Sequence, residues 1–237
     1  MHPLPSRPHS PLHLRVARVA AAGALAAAWA APAHAAEPYV ATGFPFFVVG
    51  VAQPINPMFA VRADYGMITN HRYSGSTSDD DFRGDIRYHR EALLGDWFVA
   101  EGGFRLTGGA MFTQARAALR ATPHDGKISI GGIAYNAPGS TYFAQSELSL
   151  PKTAPYVGLG WGHHQTPEAG FSFNFDAGAA FGTARATPLS LSPALASELA
   201  LTPGSQADVT KENHDLQDEV HKLKALPQLT IGVGYKF

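Results

Sequence analysis

The sequence predicts an all-β protein: an eight-stranded antiparallel transmembrane β-barrel with a helical loop before its last strand. Three observations predict it. The last ten residues put Leu229, Ile231, Val233, Tyr235 and Phe237 on one parity and Gln228, Thr230, Gly232, Gly234 and Lys236 on the other. In a strand that is one apolar face and one polar or tiny face. Several earlier stretches repeat this period of two over roughly 10 residues or more, the length a tilted spanning strand needs. Finally, the N-terminus reads as an export signal, and no later stretch approaches the roughly 18 apolar residues of a spanning helix. A membrane form must then be a closed barrel, because lipid leaves an open sheet edge without partners.

The export signal comes first in the chain. Arg7, Arg15 and Arg18 form a basic region, Val19 to Ala31 an apolar run, and Ala33-His34-Ala35 a small-x-small cleavage pattern. Residues 1–35 are therefore expected to be removed after Ala35, leaving a barrel domain over 36–237. The signal takes three of the 18 lysines and arginines, leaving 15 against 19 acidic residues and a net charge of −4. A mildly acidic chain without a basic stripe is not expected to bind nucleic acid. There is no cysteine, so hydrogen bonds and packing alone must close the structure.

The strands follow in order. Tyr39 to Ala52 is apolar with a break at Gly43 to Pro45, which gives a short first strand and a second over Phe46 to Ala52. Gln53 to Pro57 holds two prolines and an asparagine and reads as a turn. Met58 to Tyr73 sets Phe59, Val61, Ala63, Tyr65 and Met67 against Arg62, Asp64 and Gly66, and Ser74 to Asp81 is a polar loop. Arg83 to Phe98 sets Ile86, Tyr88, Ala92, Leu94 and Phe98 against Asp85, Arg87, His89 and Glu91. Arg90 falls on the apolar parity, which places it near a membrane edge or at a register shift. A turn at Val99 to Gly103 leads into Phe104 to Ala118.

Ala121 to Gly139 is a turn-rich loop with room for a small hairpin. Thr141 to Gly162 changes phase around Pro151 and Pro155, which predicts a bulge or bend. After a turn at His163 to Ala169, Phe171 to Gly182 shows the clearest alternation of the chain. Ser192-Pro193 is an N-cap and first-turn pair. Ser205 and Asp208 suggest a capping box for a second helix running to about Lys224. The insertion over about 190–224 is thus helical, with Val209, Leu216, Val220 and Leu223 as its apolar stripe. Pro227 precedes the closing strand.

An even strand count returns both termini to one side and makes the connections at 53–57, 99–103 and 163–169 the short ones. The apolar parity is expected outside and the polar parity inside. The inward charges are then Arg62, Asp64, Asp85, Arg87, His89, Glu91, Arg105 and Asp176, with Lys236 inward or at the rim. An eight-stranded barrel is just wide enough to be filled by side chains. Buried charges must be paired, so these residues are expected to form a salt-bridge network. The alternative is the lining of a narrow conduit.

The chain resembles small proteobacterial outer-membrane barrels of the OmpA-membrane-domain and OmpW-like type. It is more similar to uncharacterised outer-membrane proteins that share several features. These are Arg62 in FAVRADYG, Gly95-Asp96-Trp97, Arg105 to Gly109, APYVGLGWG over Ala154 to Gly162, FDAG over Phe175 to Gly178, an acidic helix, and LPQLTIGVGYKF. The resemblance implies a barrel in the cell outer membrane of a Gram-negative bacterium, with no established reaction. It implies contact with outer-membrane lipid and lipopolysaccharide. It also implies that the insertion machinery reads Leu229, Ile231, Val233, Tyr235 and Phe237 during assembly.

The expected role is structural or interactive in the envelope. A conduit for small molecules and a lipid-modifying enzyme are the alternatives. For the enzyme, His71, Ser74, Ser76 and Asp79 to Asp81 gather at one loop, but the spacing does not supply a triad, and no catalytic residue is expected. His163-His164 lacks a third ligand nearby and reads as a solvated turn, so neither metal nor cofactor is expected.

Overall fold

The computed structural model describes residues 36–76, 80–99, 102–164 and 168–237. The expected signal over 1–35 lies outside them. The strands are β1 (Glu37–Phe44), β2 (Phe47–Asn56), β3 (Phe59–Ser76), β4 (Asp80–Phe98) and β5 (Phe104–Pro123). A hairpin follows, β6 (Lys127–Ile130) and β7 (Ile133–Asn136), then β8 (Ala144–Ser149), β9 (Thr153–Trp161) and β10 (Gly170–Phe181). Two-residue strands β11 (Arg185–Ala186) and β12 (Ser190–Leu191) lead to α1 (Pro193–Leu201), α2 (Ser205–His221) and the closing β13 (Ala225–Lys236).

The sheet closes on itself. Each of β1 to β4 pairs antiparallel with the next, β5 with β9, β9 with β10, β10 with β13, and β13 with β1. Counting β8 and β9 as one bent stave, the barrel has eight. The bend falls at Leu150 to Lys152, between β8 and β9, where the prolines predict it. The seam between β1 and β13 runs in register from Tyr39 opposite Gly234 to Phe44 opposite Leu229. Closure removes the edges that an open sheet exposes.

The staves are unequal. β1 and β2 have 8 and 10 residues, whereas β3, β4 and β5 have 18, 19 and 20. The termini and short turns share one end, the turn end. The long strands, the β6–β7 hairpin and the helices project from the other, the loop end. β2 stops pairing with β3 at Phe47 opposite Met67, so among the described residues the rest of β3 pairs only with β4.

Two boundaries differ from expectation. β2 runs through the two prolines' segment to Asn56, because a register shift after Pro54 relieves the ladder. The Asn56 side-chain oxygen then accepts from the Met58 and Phe59 amides at 2.8 and 2.9 Å. β3 and β4 also consume most of the expected polar loop, extending to Ser76 and from Asp80.

Outward side chains form an apolar belt that includes Val40, Val49, Val61, Leu93, Leu106, Val157, Phe173 and Ile231, all exposed, with Glu91 set into it between Tyr65 and Phe112. Aromatic residues mark its turn-end rim, among them Phe59, Trp97, Phe104, Trp161 and Phe171. Leu229, Ile231, Val233, Tyr235 and Phe237 all lie on this outer face. The inner face is a packed core. Phe46, Val48 and Tyr88 fill its loop-end half, and Leu94, Met111 and Tyr156 its middle.

The loop end carries a second small core of Ile128, Ile130, Tyr135, Leu195 and Leu199, with Val209 packed against it. The helices therefore sit on the β6–β7 hairpin rather than under the barrel. Ser192 caps α1 by accepting from the Leu195 amide, with Pro193 in the first turn. The capping box expected at Ser205 does not form. Gly204, at φ 89°, occupies the N-cap of α2, and the Ser205 hydroxyl donates to the Leu199 carbonyl instead. Asp208 accepts from the Tyr135 hydroxyl, and Glu212 from the Gly131 amide at 2.8 Å, tying α2 to the hairpin.

Candidate functional site

The inward parity of each stave brings charge to the barrel axis. Arg62 and Asp64 come from β3, Asp96 from β4, Arg105 and Thr107 from β5, and Asp176 from β10. In the middle of the lumen, Arg62 Nε lies 2.7 Å from Asp96 and its Nη2 3.0 Å from Asp176. Arg105 holds Asp176 with both terminal nitrogens, at 3.1 and 3.0 Å. Its Nε lies 3.5 Å from Asp96. Thr107 donates to Asp96 at 2.6 Å. Two cations and two anions thus make a neutral box, built from the bidentate arginine–carboxylate geometry that is strongest when buried.

A second tier lies toward the loop end. Arg90 of β4 pairs with Asp64 at 3.1 Å, and Tyr39 donates to the same carboxylate at 3.0 Å. The Arg90 guanidinium also sits 4.5 Å from the Phe46 ring centroid, which gives it a cation–π partner. A third tier closes the turn end. Glu37 accepts from Ser172 and lies 3.1 Å from His163 Nδ1, and the His163 ring packs on Tyr39 at 4.5 Å between centroids.

These tiers leave little space. The void bounded by Tyr39, Arg62, Asp64, Arg90, Tyr156 and Asp176 measures about 10 Å³, room for about one water. Glycine makes the fit possible. A Cβ on Gly160 would lie 2.3 Å from Arg105 Nη1 and 2.4 Å from the Phe175 carbonyl oxygen. The arrangement holds charge in fixed pairs and blocks the axis.

Of the eight charges expected inside, Arg62, Asp64, Arg105 and Asp176 are brought together there. Asp85, Arg87, His89 and Glu91 are not, because β4 has the opposite parity. Its inward residues are Tyr88, Arg90, Ala92, Leu94, Asp96 and Phe98, and its charged run faces out. The physical reason is that a filled lumen is itself a core, so apolar side chains point inward as well. Trp97, 43% exposed beside Phe98 at 2%, carries the signal that fixes this parity.

Sequence reasoning also missed Glu37, Tyr39, Asp96 and Arg90 as members of the network. It took His163 for a solvated turn residue, whereas His163 is fully buried. Lys236 is half-buried at the turn end and donates to the His164 carbonyl at 2.6 Å.

At the β3–β4 hairpin the Ser76 hydroxyl donates to Asp81 at 2.6 Å, and His124 Nδ1 lies 3.3 Å from the same oxygen. The carboxylate stands between hydroxyl and imidazole, the wrong order for activating a serine, which needs the imidazole on its hydroxyl. Asp79 and the His71 side chain lie outside the described residues.

Fold and lumen define the class: an antiparallel eight-stranded β-barrel with a side-chain-filled interior. It is similar to solved outer-membrane barrels. CarO from Acinetobacter baumannii has a TM-score of 0.52 at 14% identity, covering 87% of this chain and 98% of that one. CarO2 from the same organism has a TM-score of 0.54 at 15% identity, covering 86% and 97%. Ail of Yersinia pestis has a TM-score of 0.35 at 12% identity, covering 86% and 94%. At such identities the likeness is one of fold. No family model and no curated protein matches the sequence.

Proposed function

We propose that the protein is an outer-membrane β-barrel of a Gram-negative bacterium, a structural or interaction component of the envelope with a closed lumen. It acts without catalysis and without a cofactor. The observation that carries this reading is the Arg62–Arg105–Asp96–Asp176 box across the lumen, beside a void with room for about one water.

The apolar belt supports membrane residence. The eight residues of β1, at about 3.4 Å each and tilted by roughly 40°, rise about 21 Å, most of the roughly 25 Å of such belts. The unpaired side of β3 beyond Met67 supports the same placement. Hydrocarbon would leave that edge unsatisfied, so the β1–β2 turn marks the outer boundary of the lipid. Both termini then face the periplasm, and the hairpin–helix cap faces outward. Its partners are outer-membrane lipid, lipopolysaccharide and, during assembly, the insertion machinery that reads the closing strand.

Two measurements test this. A gel of the unheated membrane fraction is expected to show a heat-modifiable band, and the refolded protein in planar bilayers no conductance. A soluble periplasmic protein would overturn the membrane reading. Discrete conductance altered by Arg62→Ala or Asp176→Ala would replace the closed barrel with a conduit.

A further inference from the structure

Beyond the apolar belt, the outer face of the tall strands carries an unusual row structure. On β4, β5, β8 and β11 the register sets Arg87 opposite Arg116, Arg116 opposite Ser149, and Ser149 opposite Arg185. Two rungs further toward the loop end, Arg83 stands opposite Arg120. The rung between holds Arg72 opposite Asp85. Like charges directly opposite one another destabilise a sheet, and here the ladder does it twice on one face, two rungs apart. Six arginines meet three carboxylates, Asp81, Asp85 and Glu147, a local excess of three positive charges on a chain whose formal net charge is −1.

These carboxylates do not neutralise the patch. Asp81 is already held by Ser76 and His124. Arg72–Asp85 and Arg116–Glu147 are long contacts, 3.5 and 3.4 Å, between side chains that are mostly exposed. Such pairs contribute little. Among the described residues, Arg83, Arg87, Arg120 and Arg185 have no carboxylate within ion-pair distance. The Arg120 guanidinium carbon lies over the Phe143 ring, 3.6 Å from its centroid, a cation–π contact that restrains it. Rungs about 7 Å apart along the strands and about 5 Å apart between them put several forks within reach of one polyanionic headgroup.

The patch is continuous with the belt. On β5 the outward series runs Phe104, Leu106, Phe112, and then Arg116 and Arg120. A ligand that meets both surfaces has apolar chains below and anionic groups above. We propose that this arginine ladder is a binding site for the phosphorylated saccharide headgroup of lipopolysaccharide, whose acyl chains lie against the belt. Guanidinium forks suit phosphate because they bind it bidentately. This assignment rests on the membrane reading given above.

The test uses the full mature chain folded into phosphatidylcholine vesicles with graded lipopolysaccharide. The measurements are the thermal midpoint of the folded band and lipid retention by native mass spectrometry. Wild type is expected to insert without lipopolysaccharide, and then to gain stability as it is added. The variant R83S/R87S/R116S/R120S alters only exposed side chains. It is expected to insert equally well but to bind lipopolysaccharide at least about tenfold more weakly, since each basic residue near an anionic surface contributes measurably. Dephosphorylated lipopolysaccharide is expected to give no gain with either protein, and Lys211→Ser, on α2 away from the ladder, to behave as wild type.

Equal binding by the quadruple variant overturns the site. Equal binding of the dephosphorylated lipid overturns the phosphate chemistry. A soluble phosphorylated core saccharide that binds as tightly as the intact lipid overturns the assignment to the membrane. Failure to insert into plain phosphatidylcholine removes the membrane reading itself, and this proposal with it.

Discussion

Arg62 and Asp176 are 114 residues apart in sequence and meet in the lumen through two contacts of 3.2 and 3.0 Å. The pair ties β3 to β10, which are not neighbours in the sheet. It therefore braces the barrel across its interior rather than along its wall. Asp176 also accepts both forks of Arg105, so one carboxylate serves two guanidinium groups.

Asp176→Asn is expected to leave two buried arginines short of charge. Breaking a buried network from one side costs about 3–5 kcal/mol. Asp85→Asn, which sequence reasoning placed in the same network, is expected to change stability by less than about 0.5 kcal/mol, because its pair with Arg72 is exposed. Urea unfolding in vesicles measures both. Equal effects would mean that β4 has the parity first expected.

That contrast shows where the sequence was legible. Over Phe171–Asp176 of β10 and Gln228–Gly234 of β13 the inward parity is Ser, Asn, Asp, Gln, Thr and Gly, and the outward parity is aromatic or branched, so alternation alone assigns the faces. On β4 both faces carry apolar residues. Tyr88, Ala92 and Leu94 pack inside the lumen, while Asp85, Arg87 and His89 face out at or past the level where β2 stops pairing with β3, and Glu91 faces out between Tyr65 and Phe112. Period two was visible there but its sign was not. The third tier was illegible for another reason: Glu37 and His163 are 126 residues apart, and only closure of the barrel brings them together. The bend at the prolines and the helical character of the segment before the last strand were readable, because each rests on local chemistry.

Inward and outward glycines on neighbouring staves are expected to differ. A Cβ at Gly160 meets Arg105 and the Phe175 carbonyl, whereas at Gly108, facing out on β5, nothing lies within 4 Å. Gly160→Val is expected to destabilise the barrel by about 1–3 kcal/mol or to block folding. Gly108→Ala is expected to be neutral or slightly stabilising. Yield of the heat-modifiable form on refolding separates the two.

The hairpin–helix cap has its own pH dependence. Burial, with the hydrogen bond to Asp208, pushes the Tyr135 phenol up to about 12, against about 10 in an unfolded chain. The folded cap therefore favours the neutral phenol. Its contribution is fully present below about pH 10 and is lost as pH rises through about 12. Limited proteolysis of the cap is expected to accelerate across that window while the barrel band persists. Tyr135→Phe is expected to flatten the dependence. An unchanged profile in that variant would show that another group governs the cap.

The closing strand allows its two roles to be separated. Phe237 lies beyond the last paired residue, Lys236 opposite Gly170, and makes an edge contact with Tyr235 at 5.1 Å between ring centroids. Removing it deletes no ladder hydrogen bond and one aromatic pair, worth about 0.5–1.5 kcal/mol. Refolded protein lacking Phe237 is therefore expected to unfold in urea close to wild type. In cells its abundance in the outer membrane is expected to fall severalfold on the proposal that the assembly machinery reads this aromatic. Lys236→Ala instead removes the bond to the His164 carbonyl while leaving that aromatic in place, so its effect is expected in the refolded protein first. If loss of Phe237 lowered refolded stability and cellular abundance in proportion, the residue would be a structural contact only. If neither changed, the signal would lie elsewhere in the strand.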